Sequence, residues 1–471
     1  MAFRPLLYVP RYPQHGGMPT TRLDPDTRQL PGRSSALTLV AALLGFALIT
    51  LDASVVNVAL PAVGAALGGG MSGLQWVVDA YTLAFAALML STGSLSDRIG
   101  AGRAFGIGIA LFTLASAVCG LAPNLPALIG ARAVQGVAAA LVLPASLALV
   151  RQAYPDPARR TRAVASWGAG GSVALALGPV AGGALTMGWD WRGIFFINLP
   201  LGAVALALLV RTPRSERRPA PLDLPGQLTA VVALTAVAFA VIEGGATGLV
   251  ALALAVLAAG SFLWIEARQP HPVVPLGLFR DRTVAVVVAA GMSVSVAFYG
   301  VVFVFSLFFQ QVQGRSALWA GLMFLPMSGL IGVTNVFSGK LAARYGARRP
   351  MLIGQALAAA GLLLLLYVDA GTSSALVAVL LVPMALGCAL AVPPLTAALM
   401  DAVPGERAGL AAGVLNAARQ TAGGLSVAVF GVLVADGFEA GMRLGLAIGA
   451  GLLLVTGALS FRLSGPSASR A

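Results

Sequence analysis

The sequence predicts an all-α integral membrane protein of fourteen transmembrane helices, built as two six-helix bundles plus two inserted helices. Three observations predict it. Of the 471 residues, 58% are hydrophobic and 10% charged, where a soluble domain carries about 25% charged residues. Apolar segments of about 20 residues, the length that crosses a bilayer core, recur end to end. Positive charge collects in alternate connections between these segments, and one such connection recurs later in the chain.

In order, the apolar segments lie at 36–60, 74–95, 104–122, 125–150, 163–187, 193–210, 226–243, 246–265, 283–308, 317–338, 351–368, 375–400, 408–434 and 441–461. Each exceeds the roughly 10 residues of a barrel strand, and only helices or closed barrels satisfy every backbone group in lipid, so all fourteen are expected as helices. The 57 Gly and 28 Pro are scattered through them without a collagen-like period. The first segment contains Asp52 and follows a polar tail, features foreign to a secretory signal; Met18 is a second candidate start in that tail. Cys119 and Cys388 fall inside apolar segments and read as small buried hydrophobes.

A formal net charge of +13 would, in a soluble chain, raise nucleic-acid binding. The positions of the charges argue otherwise. With connections numbered alternately from the N-terminal tail, 25 of the 30 basic residues fall on the tail's side. Arg192, Arg315 and Arg443 fall on the other, and Arg132 and Arg419 lie within segments. The tail's side is therefore expected to be cytoplasmic, with both termini inside the plasma membrane and no nucleic-acid partner.

Two loops match. GSLSDRIGAGR at 93–103 and GKLAARYGARR at 339–349 share G-x-L-x-x-R-x-G-A-x-R at an offset of 246. The first joins segments 2 and 3 and the second joins segments 10 and 11, so segments 1–6 repeat as 9–14 and segments 7 and 8 are inserted. The expected organisation is a tail 1–35, a bundle 36–210, a linker with the inserted helices 211–274, a bundle 275–462 and a tail 463–471. Parallel six-helix repeats with a substrate site at their interface describe a class of secondary transporter.

On these residues the chain resembles the major facilitator superfamily, in particular its fourteen-span drug/proton antiporter branch of the EmrB/QacA type, over nearly its whole length after residue 35. LDASVVNVALP at 51–61, with Asp52, Asn57 and Pro61, is similar to that branch's first-helix signature. The loop 93–103 is similar to the superfamily motif G-x-L-x-D-R-x-G-R-R-R. It keeps Gly93, Leu95, Asp97, Arg98, Gly100 and Arg103 and departs at Ala101 and Gly102. Its second copy keeps Gly339, Arg344 and Gly346 but has Ala343 in the place of Asp97. RAVQG at 132–136 with Arg132 and Gln135, GPVAGG at 178–183 with Gly178, Pro179, Gly182 and Gly183, WRGIFFINLPLG at 191–202 with Asn198, and RQTAGG at 419–424 with Arg419 and Gln420 complete the pattern. The resemblance implies a secondary efflux transporter that exports lipophilic drugs or metabolites in exchange for protons, with no cofactor or metal. It also implies that the fifth segment seals the outer side.

A charged carboxylate at bilayer depth is costly and must pair, meet water or take a proton. Asp52 lies about 12 Å from the outer end of the first segment at 1.5 Å per residue, and Arg132 lies at nearly equal depth in the fourth. The two are expected to meet, either as a proton site whose affinity Arg132 adjusts or as a static pair that fixes packing. Asp79 sits about one turn shallower, with a structural role as open as a proton-coupling one. Asp97 and Arg98 end the second segment as a gate latch or as a solvated turn. Gly178, Pro179, Gly182 and Gly183 fit a hinge as well as plain small-residue packing. Arg419 falls near mid-depth with no acid in segments 9–14, and reads as a polar cavity wall or as an Arg bonded to carbonyls. Asn57, Gln135, Asn198, Phe298, Tyr299 and Gln420 join it as cavity candidates.

Other classes fit less well. A Walker A loop needs Gly-Lys-Ser/Thr, and the single lysine, Lys340, precedes Leu341. His15 and His271 have no metal-ligand spacing, and no paired intramembrane carboxylates indicate an enzyme. An importer, or an exporter dedicated to one endogenous metabolite, is the nearer alternative. The intramembrane acids point to cationic substrates and Arg419 to neutral or acidic ones. The expected partners are protons, a small lipophilic substrate and the bilayer, bound by a monomer.

Overall fold

The structure, a computed structural model, describes residues 33–212, 223–270, 272, 274–404 and 407–462; most of both expected tails, the start of the linker and His271 lie outside them. The described residues are helical almost throughout. They form α1 (Arg33–Leu67), α2 (Gly70–Ile99), α3 (Ala101–Gly120), α4 (Leu125–Ala153), α5 (Pro157–Gly188), α6 (Gly193–Phe196), α7 (Asn198–Leu209), α8 (Leu224–Glu243) and α9 (Gly245–Glu266). After these come α10 (Arg282–Leu307), α11 (Ala317–Met323), α12 (Leu325–Tyr345), α13 (Arg348–Leu365), α14 (Ser374–Ala402), α15 (Ala408–Ala435) and α16 (Phe438–Phe461).

Each of the fourteen apolar segments is helical, but fewer meet the requirements of a span. Eleven described helices are long and apolar enough to cross a membrane, or twelve if the two parts of α2, bent by 62°, count as one. The expectation of fourteen falls short at two places for physical reasons. The sixth segment is a shorter apolar helix, Gly193–Leu209. The eleventh, α13, has 18 residues and opens on Arg348 and Arg349.

Short polar side chains start the helices. Asn124 Oδ1 accepts from the Ala127 amide at 3.0 Å and Asp156 Oδ1 from Arg159 at 2.8 Å, taking up amides that have no partner in the first turn. The two repeated loops turn at equivalent glycines. Gly100 has φ 93° and Gly346 has φ 80°, a conformation that side chains bearing a Cβ rarely adopt. The Gly shared by both motifs is thus required by the reversal from α2 into α3 and from α12 into α13.

The helices gather into two bundles with one packing scheme. α1 packs on α4, α5 and α7, α2 on α4, and α3 on α4 and α7; in the same way α10 packs on α14, α15 and α16, α12 on α14, and α13 on α14 and α16. The bundles meet along two seams related by the repeat, α2 with α15 and α5 with α11 and α12. The inserted hairpin α8–α9 lies over the first seam, with α8 touching both α2 and α15.

Polar contacts between the bundles lie toward the face opposite the repeated turns. Ser306 Oγ donates to the Asn57 carbonyl at 2.7 Å, Gln310 Nε2 to the Val58 carbonyl at 3.0 Å and Gln75 Nε2 to the Ala428 carbonyl at 2.6 Å. On the same side Gly183 lies against the backbone of Ala317 and Leu318, and Gly321 against the Pro179 carbonyl, so that any side chain at either glycine would collide with backbone.

Candidate substrate and coupling site

Five helices converge on Asp52. The carboxylate is fully buried, and Arg132 Nη1 donates to its Oδ2 at 2.5 Å. Oδ1 accepts from Asn198 Nδ2 at 2.8 Å and from Gln135 Nε2 at 3.3 Å. Arg132 also donates through Nε to the Val77 carbonyl at 3.0 Å and through Nη1 to Gln135 Oε1 at 2.9 Å, and its guanidinium lies 4.3 Å from the Tyr81 ring centroid. Ser116 Oγ accepts from Gln135 at 2.7 Å and from Asn198 at 3.2 Å, and Cys119 Sγ donates to Gln135 Oε1 at 3.2 Å. The cluster draws Asp52 from α1, Val77 and Tyr81 from α2, Ser116 and Cys119 from α3, Arg132 and Gln135 from α4 and Asn198 from α7. Each charge is balanced within it, as buried ions require.

The equal depths of Asp52 and Arg132 in the sequence are thus realised as a contact. Gln135 and Asn198, expected on a cavity wall, are instead turned into the bundle as ligands of Asp52. Asp79 stands apart. It is fully buried, and neither carboxylate oxygen has a hydrogen-bond partner among the described residues. It lies one turn from Gln75, which reaches Ala428, and one turn from Thr82 and Leu83, which lie against Gly424. Asp79 therefore occupies the face of α2 that meets α15.

A cavity of about 20 Å³ lies between the bundles, lined by Ala53, Asn57, Val78, Tyr81, Thr82, Tyr299, Gln420, Gly423 and Val427. It has room for about one water. Of the cavity candidates, Asn57, Tyr299 and Gln420 are on this wall. Phe298 is not; it packs edge-on against Tyr299 with centroids 5.6 Å apart. Tyr299 donates to Gln420 Oε1 at 3.1 Å. Arg419, next to Gln420, rests its aliphatic stem against Gly291 of α10, and its Nε is buried without a partner. Tyr81, Thr82, Ser116 and Cys119 were not singled out from the sequence. Tyr81 and Thr82 carried a usable signal, being polar groups in an apolar segment within one turn of Asp79.

At the repeated turns, Asp97, Arg98 and Arg103 are exposed, and neither Asp97 nor Arg98 makes a hydrogen bond or ion pair among the described residues. The expected latch is therefore not engaged in this arrangement. Gly93 and Gly339 face open space, and Arg344 stacks on Tyr345. In α5 the glycines have two tasks. Gly178 and Gly182 admit α1 at Ser54 and Val55, while Gly183 and the Pro179 carbonyl meet α11. No group of three or more metal-binding side chains occurs among the described residues.

Two repeated helical bundles around a small polar cavity, with a balanced ion pair sealed inside one of them, define a membrane transporter. The chain belongs to the Major Facilitator Superfamily, which matches residues 42–427; it is a transporter and not an enzyme. It is 40% identical over 411 residues, 86% of this chain and 76% of the relative, to a protein named multidrug resistance protein Stp from Mycobacterium tuberculosis. It is 37% identical over 407 residues, 85% of this chain and 86% of the relative, to one named methylenomycin A resistance protein from Streptomyces coelicolor. Among solved structures it is similar to a bacterial homologue of the human lysosomal transporter Spinster, described as inward-facing and unoccupied. The TM-score is 0.66 at 16% identity, covering 91% of this chain and 97% of that one. The Escherichia coli xylose transporter XylE gives a TM-score of 0.63 at 15% identity, covering 93% and 99%. At such identities these two likenesses concern the fold.

Proposed function

We propose that this protein is a proton-coupled efflux transporter that expels small lipophilic compounds across the plasma membrane by alternating access. The similarity to proteins named for multidrug and antibiotic resistance supports export. The sealed Asp52–Arg132 pair is the observation that carries proton coupling. With the guanidinium in place, Asp52 is charge-balanced. If rocking of the bundles withdraws Arg132, an uncompensated carboxylate remains at depth, and binding a proton removes that cost. Asp79, at the seam with α15 and without a donor, is the second proton site on this reading. Gly183 and Gly321 form the seal at the face opposite the repeated turns, and Asp97 and Arg98 latch the other face when it closes.

The same reading takes the chain as a fourteen-span monomer with both termini cytoplasmic and bundles at 36–210 and 275–462. The charge asymmetry of the loops supports the orientation. The short sixth segment and α13 cross with the others if Arg348 and Arg349 extend to the interface.

The test is accumulation of dyes and antibiotics in an efflux-deficient bacterium, with and without a proton ionophore. Wild type is expected to expel at least one compound in an ionophore-sensitive way, and Asp52→Asn, at equal membrane abundance, to lose at least tenfold of that activity. Full ionophore-sensitive export by Asp52→Asn would remove Asp52 from coupling. Absence of such export by wild type for every compound would remove the efflux reading itself.

A further inference from the structure

The cues from charge, opposed in the sequence, are separated by the structure. No acidic side chain lines the central cavity. Asp52 is fully buried within its own bundle with both oxygens engaged, and Asp79 is fully buried beside α15. Neither carboxylate is presented to a substrate. The cation Arg419 is only half-buried on α15, next to the wall residue Gln420 and one turn from the wall residue Gly423. It lies about 17 Å along α15 from its first residue, at 1.5 Å per residue.

Arg419 makes no hydrogen bond or ion pair among the described residues, although a guanidinium offers five N–H donors. None of the neighbouring groups is bonded to the guanidinium as an acceptor. Gly291 gives room for the arginine stem, and the Tyr299 hydroxyl donates its proton to Gln420 Oε1. The Gln420 amide N–H groups make no hydrogen bond among the described residues. Asn416, exposed and one turn from Gln420 on the same side of α15, continues the polar stripe toward the repeated-turn face. The cavity wall itself carries no charge, and the single charged side chain of α15 beside it is the cation Arg419.

We propose that Arg419, with Gln420 beside it, is the substrate-binding subsite for an acidic group, a carboxylate, sulfonate or phenolate, on an otherwise lipophilic compound. The acid's oxygens occupy the guanidinium fork, as planar anions do at arginine, and the apolar body lies against Tyr299, Val78 and Val427 once movement of the bundles has opened the cavity beyond the volume of one water. The two acids of the first bundle then serve coupling and not recognition. This inference rests on the efflux reading for what happens after binding, but not for binding itself.

The experiment uses the purified full chain in neutral detergent, with two dyes of one xanthene scaffold, anionic fluorescein and cationic rhodamine 123, followed by fluorescence anisotropy. Wild type is expected to bind fluorescein at least tenfold more tightly than rhodamine 123. Arg419→Gln should weaken fluorescein at least tenfold while leaving rhodamine 123 unchanged, and Arg419→Lys, which keeps the charge but not the fork, should restore only part of the loss. A wild-type preference for rhodamine 123, or unchanged fluorescein binding by Arg419→Gln, overturns the proposal; the wild-type comparison stands even if a variant fails to fold. Added phosphatidylglycerol is expected to leave fluorescein in place, and displacement by it assigns the subsite to a lipid headgroup and overturns the substrate assignment. Ionophore-sensitive uptake of rhodamine 123 but not fluorescein into everted vesicles supports efflux and overturns the anionic subsite. Arg419-dependent fluorescein binding upholds the subsite even where no compound of the wider panel is exported, the outcome that removes efflux.

Discussion

The bundle of α1–α7 and the bundle of α10–α16 repeat one packing scheme, yet they treat charge in opposite ways. The first buries Asp52 and Arg132 against each other and surrounds them with Gln135, Asn198 and Ser116. At the corresponding depth the second has Arg419, with no acid to meet it. Its buried polar contacts are neutral, as between Thr456 Oγ1 and Gln355 Oε1 at 3.0 Å and from Ser338 Oγ to the Leu390 carbonyl at 2.6 Å. Packing was kept through the duplication because it depends on small residues and turns, as at Gly100 and Gly346. Charge was not kept in both halves: the ion pair lies in one, and the other has a cation without a bonded partner among the described residues.

The largest test of this contrast is removal of each cation. Arg132→Ala leaves Asp52 buried and uncompensated and should cost about 3–5 kcal/mol, read as a fall in thermal unfolding temperature in detergent. Arg419→Gln should cost under about 1 kcal/mol, because no partner is orphaned. Equal destabilisation by the two would erase the distinction between a structural and a presented cation. Next is the seal between bundles. Gly321→Leu drives a side chain into the Pro179 carbonyl and should oppose closure of that face by about 1–3 kcal/mol. Spin labels on the ends of α5 and α11 should then report a longer and broader distance, while unfolding temperature changes less than for Arg132→Ala. The smallest effect is expected at the inserted hairpin. Gln227 Nε2 donates to the Ala87 carbonyl at 2.5 Å, and Ser91 donates to Gln227 Oε1. Gln227→Leu should cost about 0.5–1.5 kcal/mol, seen as faster amide exchange in α8 with that of α1 unchanged.

Depth along a helix was legible in the sequence, and direction around it was not. Counting residues from the segment ends placed Asp52 and Arg132 at one level, and the ion pair follows. The same arithmetic says nothing about which way Gln135 and Asn198 point. α4 and α7 are apolar nearly all round, so no polar face gives their rotation, and both amides turned inward to satisfy Asp52. Tyr81 and Thr82, by contrast, did carry a signal in lying within one turn of Asp79, which counting depth alone does not use. The span count met a different limit. Hydropathy sees only that 193–210 and 351–368 are apolar, whereas the helices there are limited by the break at Ile197 between α6 and α7 and by the arginines that open α13. The repeat itself was legible because a positive φ at Gly100 and Gly346 admits almost no other residue.

The inserted hairpin breaks the symmetry that the repeat would otherwise impose. α8 is tied to α2 by side chains at both ends, with Gln227 near one face and Glu243 accepting from Ser72 at 2.9 Å and Trp76 at 3.0 Å near the other. Against α15 it offers apolar contact, Ala238 and Ile242 beside Ala428. A rail fixed to one carriage and greased against the next travels with the first. One flank of the molecule is therefore shuttered whatever the bundles do, while the flank between α5 and α12 is bare. A solute dissolved in the surrounding lipid would find a left side and a right side to a machine whose two halves share one packing scheme.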